Sequence, residues 1–417
     1  MAQRVILACA LAIGAGCSPY GGGEFACMTD QQCGAAGKCI PNRGGSGFCA
    51  FPDPSCDSGF IYGDLSGPLS GTCVGGTQTD GGIDMPDMVE DFCFGTGPGK
   101  ACFAGPPTGT RTITTNTNID TDGSMCMATT NSVPACVVAA ESFAVNAGVF
   151  LTGSGSKPLV LVATQTITIN GILAVGSSRT FNFVGAGVDM PGCNAGTAPT
   201  GSSGGAGGSF GGVGGNGAAV GTAGTAGAVV QVTALRGGCS GQDGADDVAP
   251  MDPGERGRGG GAVYLIAETS ITVSGTGAIT ASGMGGGGGG ASAAAGAGGG
   301  GSGGYIGLDS PMIMNSGSIF ANGGAGGEGS GTMSTGSNGQ DSTAAGTAAI
   351  GGNAGSAFGT DGGNGSQGAT LTGSPAAANC TGTCTTPTSG GGGGGGAGVI
   401  KRYRATTIGG AVSPPAT

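Results

Sequence analysis

An all-β chain is predicted: an irregular parallel β-helix, a solenoid with long glycine-rich insertions, preceded by a small disulfide-rich module. Three observations carry this. β-Rich segments of related spacing recur along residues 93–417. Glycine supplies 102 of the 417 residues, against a usual share of about 7%. Six cysteines crowd between Cys27 and Cys73 among turn-forming residues. Collagen is excluded, because glycine keeps no long strict period of three and the 20 prolines are scattered.

At the N-terminus, Arg4 precedes an apolar run from Val5 to Ala15. The run is well short of the ~20 residues that cross a bilayer, so residues 1–16 read as a signal peptide. Gly14-Ala15-Gly16-Cys17 resembles a bacterial lipobox, although Gly14 stands where a larger aliphatic residue is usual. Cleavage without lipid is the alternative. The cysteine count favours lipidation of Cys17. Of 16 cysteines, Cys9 leaves with the signal, and acylation of Cys17 leaves an even 14. A lipid anchor would tie the chain to a membrane. Ser18 follows, and resemblance to Gram-negative lipoproteins implies sorting to the outer membrane or cell surface.

Residues 17–74 form the anchored N-terminus and the cysteine-rich module, with Cys27, Cys33, Cys39, Cys49, Cys56 and Cys73. So short and polar a segment cannot bury much core and needs disulfide staples. Six cysteines allow 15 pairings, and spacing does not choose among them. Zinc is the rival reading, but the CxxC pairs and histidines it calls for are absent. Residues 75–92 read as an acidic, glycine-rich linker. Its Asp80, Asp84, Asp87, Glu90 and Asp91 could attract calcium, but a solvated spacer is favoured.

The repeats follow. Copies open at Val137, Leu161, Leu265 and Ile306, and a degenerate one at Ile400. In the four better copies an apolar residue comes six positions later (Phe143, Ile167, Ile271, Met312) and another two beyond that (Val145, Ile169, Val273, Met314). A step of two keeps both on one strand face. The expected register stacks Ile167, Ile271 and Met312 in one inward column and Ile169, Val273 and Met314 in another. Thr168, Thr272 and Ile313 then face out. Stacking would bury what a single unit cannot; a β-sandwich with chance similarity is the alternative. Long glycine-rich insertions separate the later copies. They are either mobile loops or packed polyproline-II-like strands. Cys193 and Cys239 flank the first insertion and are expected to pair, closing a span whose chain entropy is worth about 4 kcal/mol. Cys380 and Cys384 are expected to form a local clip.

The runs LRGGCSGQ from Leu235, GGGAVYLIAETSITVSG from Gly259, GGSGGYIGLDSP from Gly300 and FANGGAGGEGS from Phe320 resemble a group of glycine-rich secreted lipoproteins of myxobacteria. That resemblance covers most of the chain and implies a surface location and no established activity. The GGX tracts alone resemble the glycine-rich domains of mycobacterial PE-PGRS proteins, whose PE helical domain has no counterpart here.

Function is constrained mainly by exclusion. Net charge is −11, and the 13 lysines and arginines form no basic run, which argues against nucleic acid. There is no histidine, so histidine triads and histidine-ligated metals are impossible. Paired carboxylates for glycoside hydrolysis remain conceivable. The densest group is Asp243, Asp246, Asp247, Asp252 and Glu255, beside Arg256 and Arg258, and a solvated turn is the favoured reading. Asn116, Asn118, Asp120 and Asp122 resemble the start of a calcium loop, but Thr129 stands where an EF-hand needs glutamate. A polar strand edge or turn is favoured. The expectation is a cell-surface structural, adhesive or matrix-associated protein. No catalytic activity, cofactor or metal is expected, and an extracellular glycan or matrix is the conceivable partner. A carbohydrate-active β-helix lyase or hydrolase is the alternative.

Overall fold

The computed structural model describes residues 26–41, 47–75, 91–247, 251–291, 294–331, 334–353, 359–378 and 387–417. Residues 1–16, Cys17, most of the 75–92 linker with Asp80, Asp84, Asp87 and Glu90, and Cys380 and Cys384 lie outside them. Two compact units emerge, Met1–Met88 and Val89–Thr417.

In the first unit, Ala26–Cys27, Lys38–Pro41, Gly47–Pro52 and Phe60–Tyr62 form a small antiparallel sheet. Disulfides Cys27–Cys39, Cys33–Cys49 and Cys56–Cys73 select one of the open pairings. Buried Cys27, Cys33 and Cys49 are themselves the centre of the unit, as expected where apolar side chains are too few to make a core. The cluster of three sulfurs here belongs to disulfides, not to a metal.

In the second unit three sheets, parallel throughout, share one core. The first contains Thr110–Ile113, Ser142–Val145, Thr166–Ile169, Ser270–Val273 and Ile313–Asn315. The second contains Thr117–Asp120, Phe150–Ser154, Ile172–Ala174, Ala278–Thr280, Ser318–Phe320 and Ala411–Ser413. The third contains Cys136–Ala140, Leu159–Ala163, Ala262–Ala267, Tyr305–Ser310 and Val399–Arg404. Read along the chain, the strands visit first, second and third sheet in turn. The last round omits the first sheet. Alternate residues of each strand point into a single interior, where Phe143, Ile167, Ile169, Leu173, Leu265, Ile271, Ile279 and Ile319 are buried.

Phe143, Ile167 and Ile271 stack in register, as do Val145, Ile169 and Val273. The next position departs from expectation. Ile271 pairs with Ile313, Thr272 with Met314 and Val273 with Asn315. Ile313 is 8% exposed, whereas Met312 and Met314 are 47% and 45% exposed. The six-residue spacing misleads because Ile306 pairs with Val263, two positions before Leu265, while the turn before this strand holds one residue fewer, and the β-branched isoleucine takes the inward site. The opening column shifts as well: Val137 pairs with Val160, and Ile306 with Val263, rather than with Leu161 and Leu265. An additional round, through Thr110–Ile113 and Thr117–Asp120, precedes the first recognised copy.

The third sheet is apolar on both faces, hence the unbroken runs LVLVA and AVYLIA. Its outer face is covered by Phe94, Ala101 and Phe103 of the hairpin Phe92–Phe94/Ala101–Phe103, which Cys93–Cys102 closes, and by Phe210 and Leu235. One charge is buried there. The Asp309 carboxylate accepts hydrogen bonds from Thr96 N (2.6 Å), Gly97 N (3.3 Å), Tyr264 Oη (2.9 Å) and Arg404 Nε (2.6 Å). Tyr305 and Tyr403 join their hydroxyls beside it at 2.8 Å.

The long insertions run from Ala174 to Ala262, Thr280 to Tyr305 and Phe320 to Val399. All three leave the second sheet and return to the third, so they share one corner. There they pack as extended tracts. Amides of 296, 299 and 302 donate to carbonyls of 245, 242 and 239; those of 297, 300 and 303 to 390, 393 and 396; those of 298, 301 and 304 to 287, 284 and 281. Carbonyls of 296, 299 and 302 accept from 254, 257 and 260; those of 297 and 300 from 205 and 208; those of 295, 298 and 301 from 330, 327 and 324. Each step is three residues, the repeat of a polyproline-II helix, which makes no internal hydrogen bonds. Tract 295–304 therefore has six neighbours, and the packed-strand reading holds over the described residues. A Cβ on Gly300 would fall far inside contact distance of the Gly324 carbonyl.

Three outcomes test this architecture. In denaturant unfolding, Ile271→Asp and Ile313→Asp should each cost at least about 4 kcal/mol, while Thr272→Asp and Met312→Asp stay within about 0.5 kcal/mol. The reverse ranking for Met312 and Ile313 would overturn the register. Gly300→Ala should destabilise by about 1–3 kcal/mol or more; Gly346→Ala, whose Cβ meets nothing, should be nearly silent. Finally, burial foremost, then the Asp309 charge, pushes the Tyr264 phenol far above its ordinary range, and burial also raises Tyr305. A raised folded-state pKa contributes stability that is complete below the unfolded value and is lost as pH rises past it. Stability should hold to about pH 10 and fall above it. Ultraviolet absorbance titration should show Tyr264 and Tyr305 ionising only as the far-UV circular dichroism collapses.

Candidate functional site: a polar groove beside the Cys193–Cys239 disulfide

The first insertion folds back on itself between Cys193 and Cys239, which are joined with a Cα–Cα distance of 5.6 Å. Arg236 lies under the bridge, 7% exposed. Its guanidinium donates to Pro191 O (2.7 Å) and Met190 O (2.8 Å) and lies 2.9 Å from Cys193 Sγ. Burial lowers its pKa, opposed by the charge of Asp189. These contacts fix residues 190–196 as a wall facing the tracts at 239–244 and 254–258.

Between them lies a groove of about 350 Å³, continued by a second depression of about 360 Å³ that shares Ala195, Gly196, Gly241, Gln242 and Arg256. Its polar groups are braced. Asp189 holds φ +56°, a left-handed conformation that aspartate tolerates better than most residues. Its carboxylate accepts from Ser240 N (2.7 Å), Ser240 Oγ (2.5 Å) and Arg258 Nη1 (3.4 Å). Arg256 grips Asp243 with two nitrogens, at 2.8 and 3.2 Å, the bidentate geometry a guanidinium suits. Gln242 accepts from Ala206 N and donates to Thr197 O and Thr225 O, tying the floor to the far wall.

The acidic group flagged by sequence is thus dispersed. Asp243 pairs with Arg256, and Glu255 with Arg179 at 3.4 Å. Asp246 accepts from Asp252 N, and Asp247 is exposed. The arrangement offers fixed donors and acceptors instead of two carboxylates facing a shared substrate position. The Asn116–Asp122 stretch serves strand edges. Asn116 Oδ1 accepts from Phe150 N, Asn118 bonds Thr152 and Ser154, and Asp122 accepts from Ser156 N and Oγ. The Ser156 hydroxyl foremost holds Asp122 below the usual carboxylate range.

Sequence reasoning missed Asp189, Arg236 and the Asp309 cluster, which long-range folding assembles. One local signal was readable: Gly238, Gly241 and Gly244, then Gly254, Gly257 and Gly260, keep a step of three. Among the described residues no helix is long and apolar enough to cross a membrane. No protein-family model, curated protein or solved structure matches the chain.

Proposed function

We propose that this is an exported cell-surface protein with a structural, adhesive or matrix-associated role and no catalytic activity. In this reading the three-sheet body is an irregular parallel β-helix, and acylated Cys17 anchors it at the outer membrane or cell surface. The observation that carries the reading is the use of the long insertions. Loops that serve chemistry usually present unpaired, converging side chains. Here the insertions condense into a hydrogen-bonded lattice, and the carboxylates beside it are committed to arginines and backbone amides. Six disulfides among the described residues suit an oxidising exterior. The resemblance to myxobacterial surface lipoproteins points the same way.

The test joins location and activity. Expressed with its own leader in a Gram-negative host, the protein should fractionate with membranes and yield a mature N-terminal peptide carrying acyl chains on Cys17 by mass spectrometry. Cys17→Ser should shift it to the soluble fraction. Incubated with a polysaccharide panel, it should release neither new reducing ends nor unsaturated products. An unmodified N-terminus would remove the anchor, and product release would establish the lyase or hydrolase alternative.

A further inference from the structure

We infer that the groove beside the Cys193–Cys239 bridge is a binding site for a neutral glycan chain. This rests on the adhesive reading above and names its ligand class. Four features lead there. Both sections lie within the ~300–1,000 Å³ usual for small-ligand sites, and their continuity suits a linear ligand of more than one unit. The charge is balanced, with Arg256 and Arg258 each facing an aspartate, Asp243 and Asp189, so an anionic ligand would meet no net attraction. Donors and acceptors alternate at close range, as a polyhydroxylated ligand requires: guanidinium groups, the Asp189 carboxylate and the Asn194 amide. The lining mixes polar and apolar surface in comparable amounts and holds no aromatic ring, which disfavours a flat aromatic ligand and leaves orientation of the ligand to hydrogen bonds.

Spare capacity is concentrated on two residues. Arg258 reaches Asp189 through Nη1 alone, at 3.4 Å, and among the described residues no hydrogen bond engages its Nε or Nη2. Asn194 is exposed at the groove wall, and its side chain likewise makes no hydrogen bond among the described residues. Gln242 and Arg236 are each engaged by several partners of their own. Division of labour follows: Arg236 and Gln242 position the walls, and Arg258 and Asn194 meet the ligand. A hydroxyl pair on adjacent sugar carbons can accept from the free edge of Arg258 while donating to Asp189, a two-point contact that one water replaces poorly.

The full mature protein should be assayed by glycan array and calorimetry. The probes are neutral tetrasaccharides of glucose, galactose, mannose and N-acetylglucosamine, with tetragalacturonate as the anionic comparator. Saturable binding to at least one neutral probe is expected. Arg258→Ala should weaken it tenfold or more, Asn194→Ala should weaken it measurably, and Lys401→Ala, in another strand region, should leave it unchanged. Melting curves matching the parent establish that each variant is folded. Failure of every neutral probe, a tenfold preference for tetragalacturonate, or parental affinity in folded Arg258→Ala each overturns the inference. In the last case glycan binding survives, so the adhesive reading stands while this groove falls. Cleavage of a probe would instead sink the non-catalytic reading.

Discussion

Hydrogen bonding between bare backbones, repeated every third residue, is the constraint on which the second unit depends. A tract with side chains could not come so close; a tract without hydrogen-bonded neighbours would stay disordered, because ordering glycine costs about 0.5–1 kcal/mol more per residue than ordering alanine. The two requirements meet only when several tracts lie side by side. The three-sheet body supplies that condition by sending every long insertion out through the corner between the second and third sheets. In return the first insertion places Phe210 and Leu235 on the outer face of the third sheet. Sheet and lattice thus cover each other.

The docking of the 92–103 hairpin on the third sheet is tied by polar groups in an apolar setting. Asp309 sits in a strand of the third sheet yet is fully buried, held by the backbone at Thr96 and Gly97, by Tyr264 and by Arg404. Removing one partner of such a cluster leaves a buried charge uncompensated, which is far more disruptive than the net worth of the intact pair. The cluster therefore specifies where the 92–103 hairpin docks. The Cys193–Cys239 bridge and Arg236 do the equivalent for the wall of the groove.

Much of the body was legible because β-strands write their register in period two. Ile167 and Ile271, Ile169 and Val273 lie where their spacing puts them. Reading failed at Ile313, where a one-residue change in a turn exchanges the faces of a whole strand and both Met312 and Ile313 are apolar. Polarity could not discriminate between them, although β-branching could have. The glycine tracts were half legible: their local step of three was present, but which tract neighbours which depends on contacts between residues far apart in the chain, such as Gly300 with Gly393 and Gly205 with Gly393. The groove was least legible. Asp189, Gln242 and Arg258 come from three separate tracts, and nothing near any one of them announces the others.

The step of three has a consequence for how such a chain can change in length. In a threefold helix each residue turns the next by about 120°. Inserting or deleting a single residue within tract 295–304 would rotate everything beyond it by a third of a turn. Amides now facing 239–245 would then face 281–287 or 390–396. A triplet preserves every neighbour and merely extends the tract. The folded lattice therefore imposes its own reading frame on the polypeptide, in units of three amino acids, in which in-frame length variation is silent and frame-breaking variation scrambles six interfaces at once.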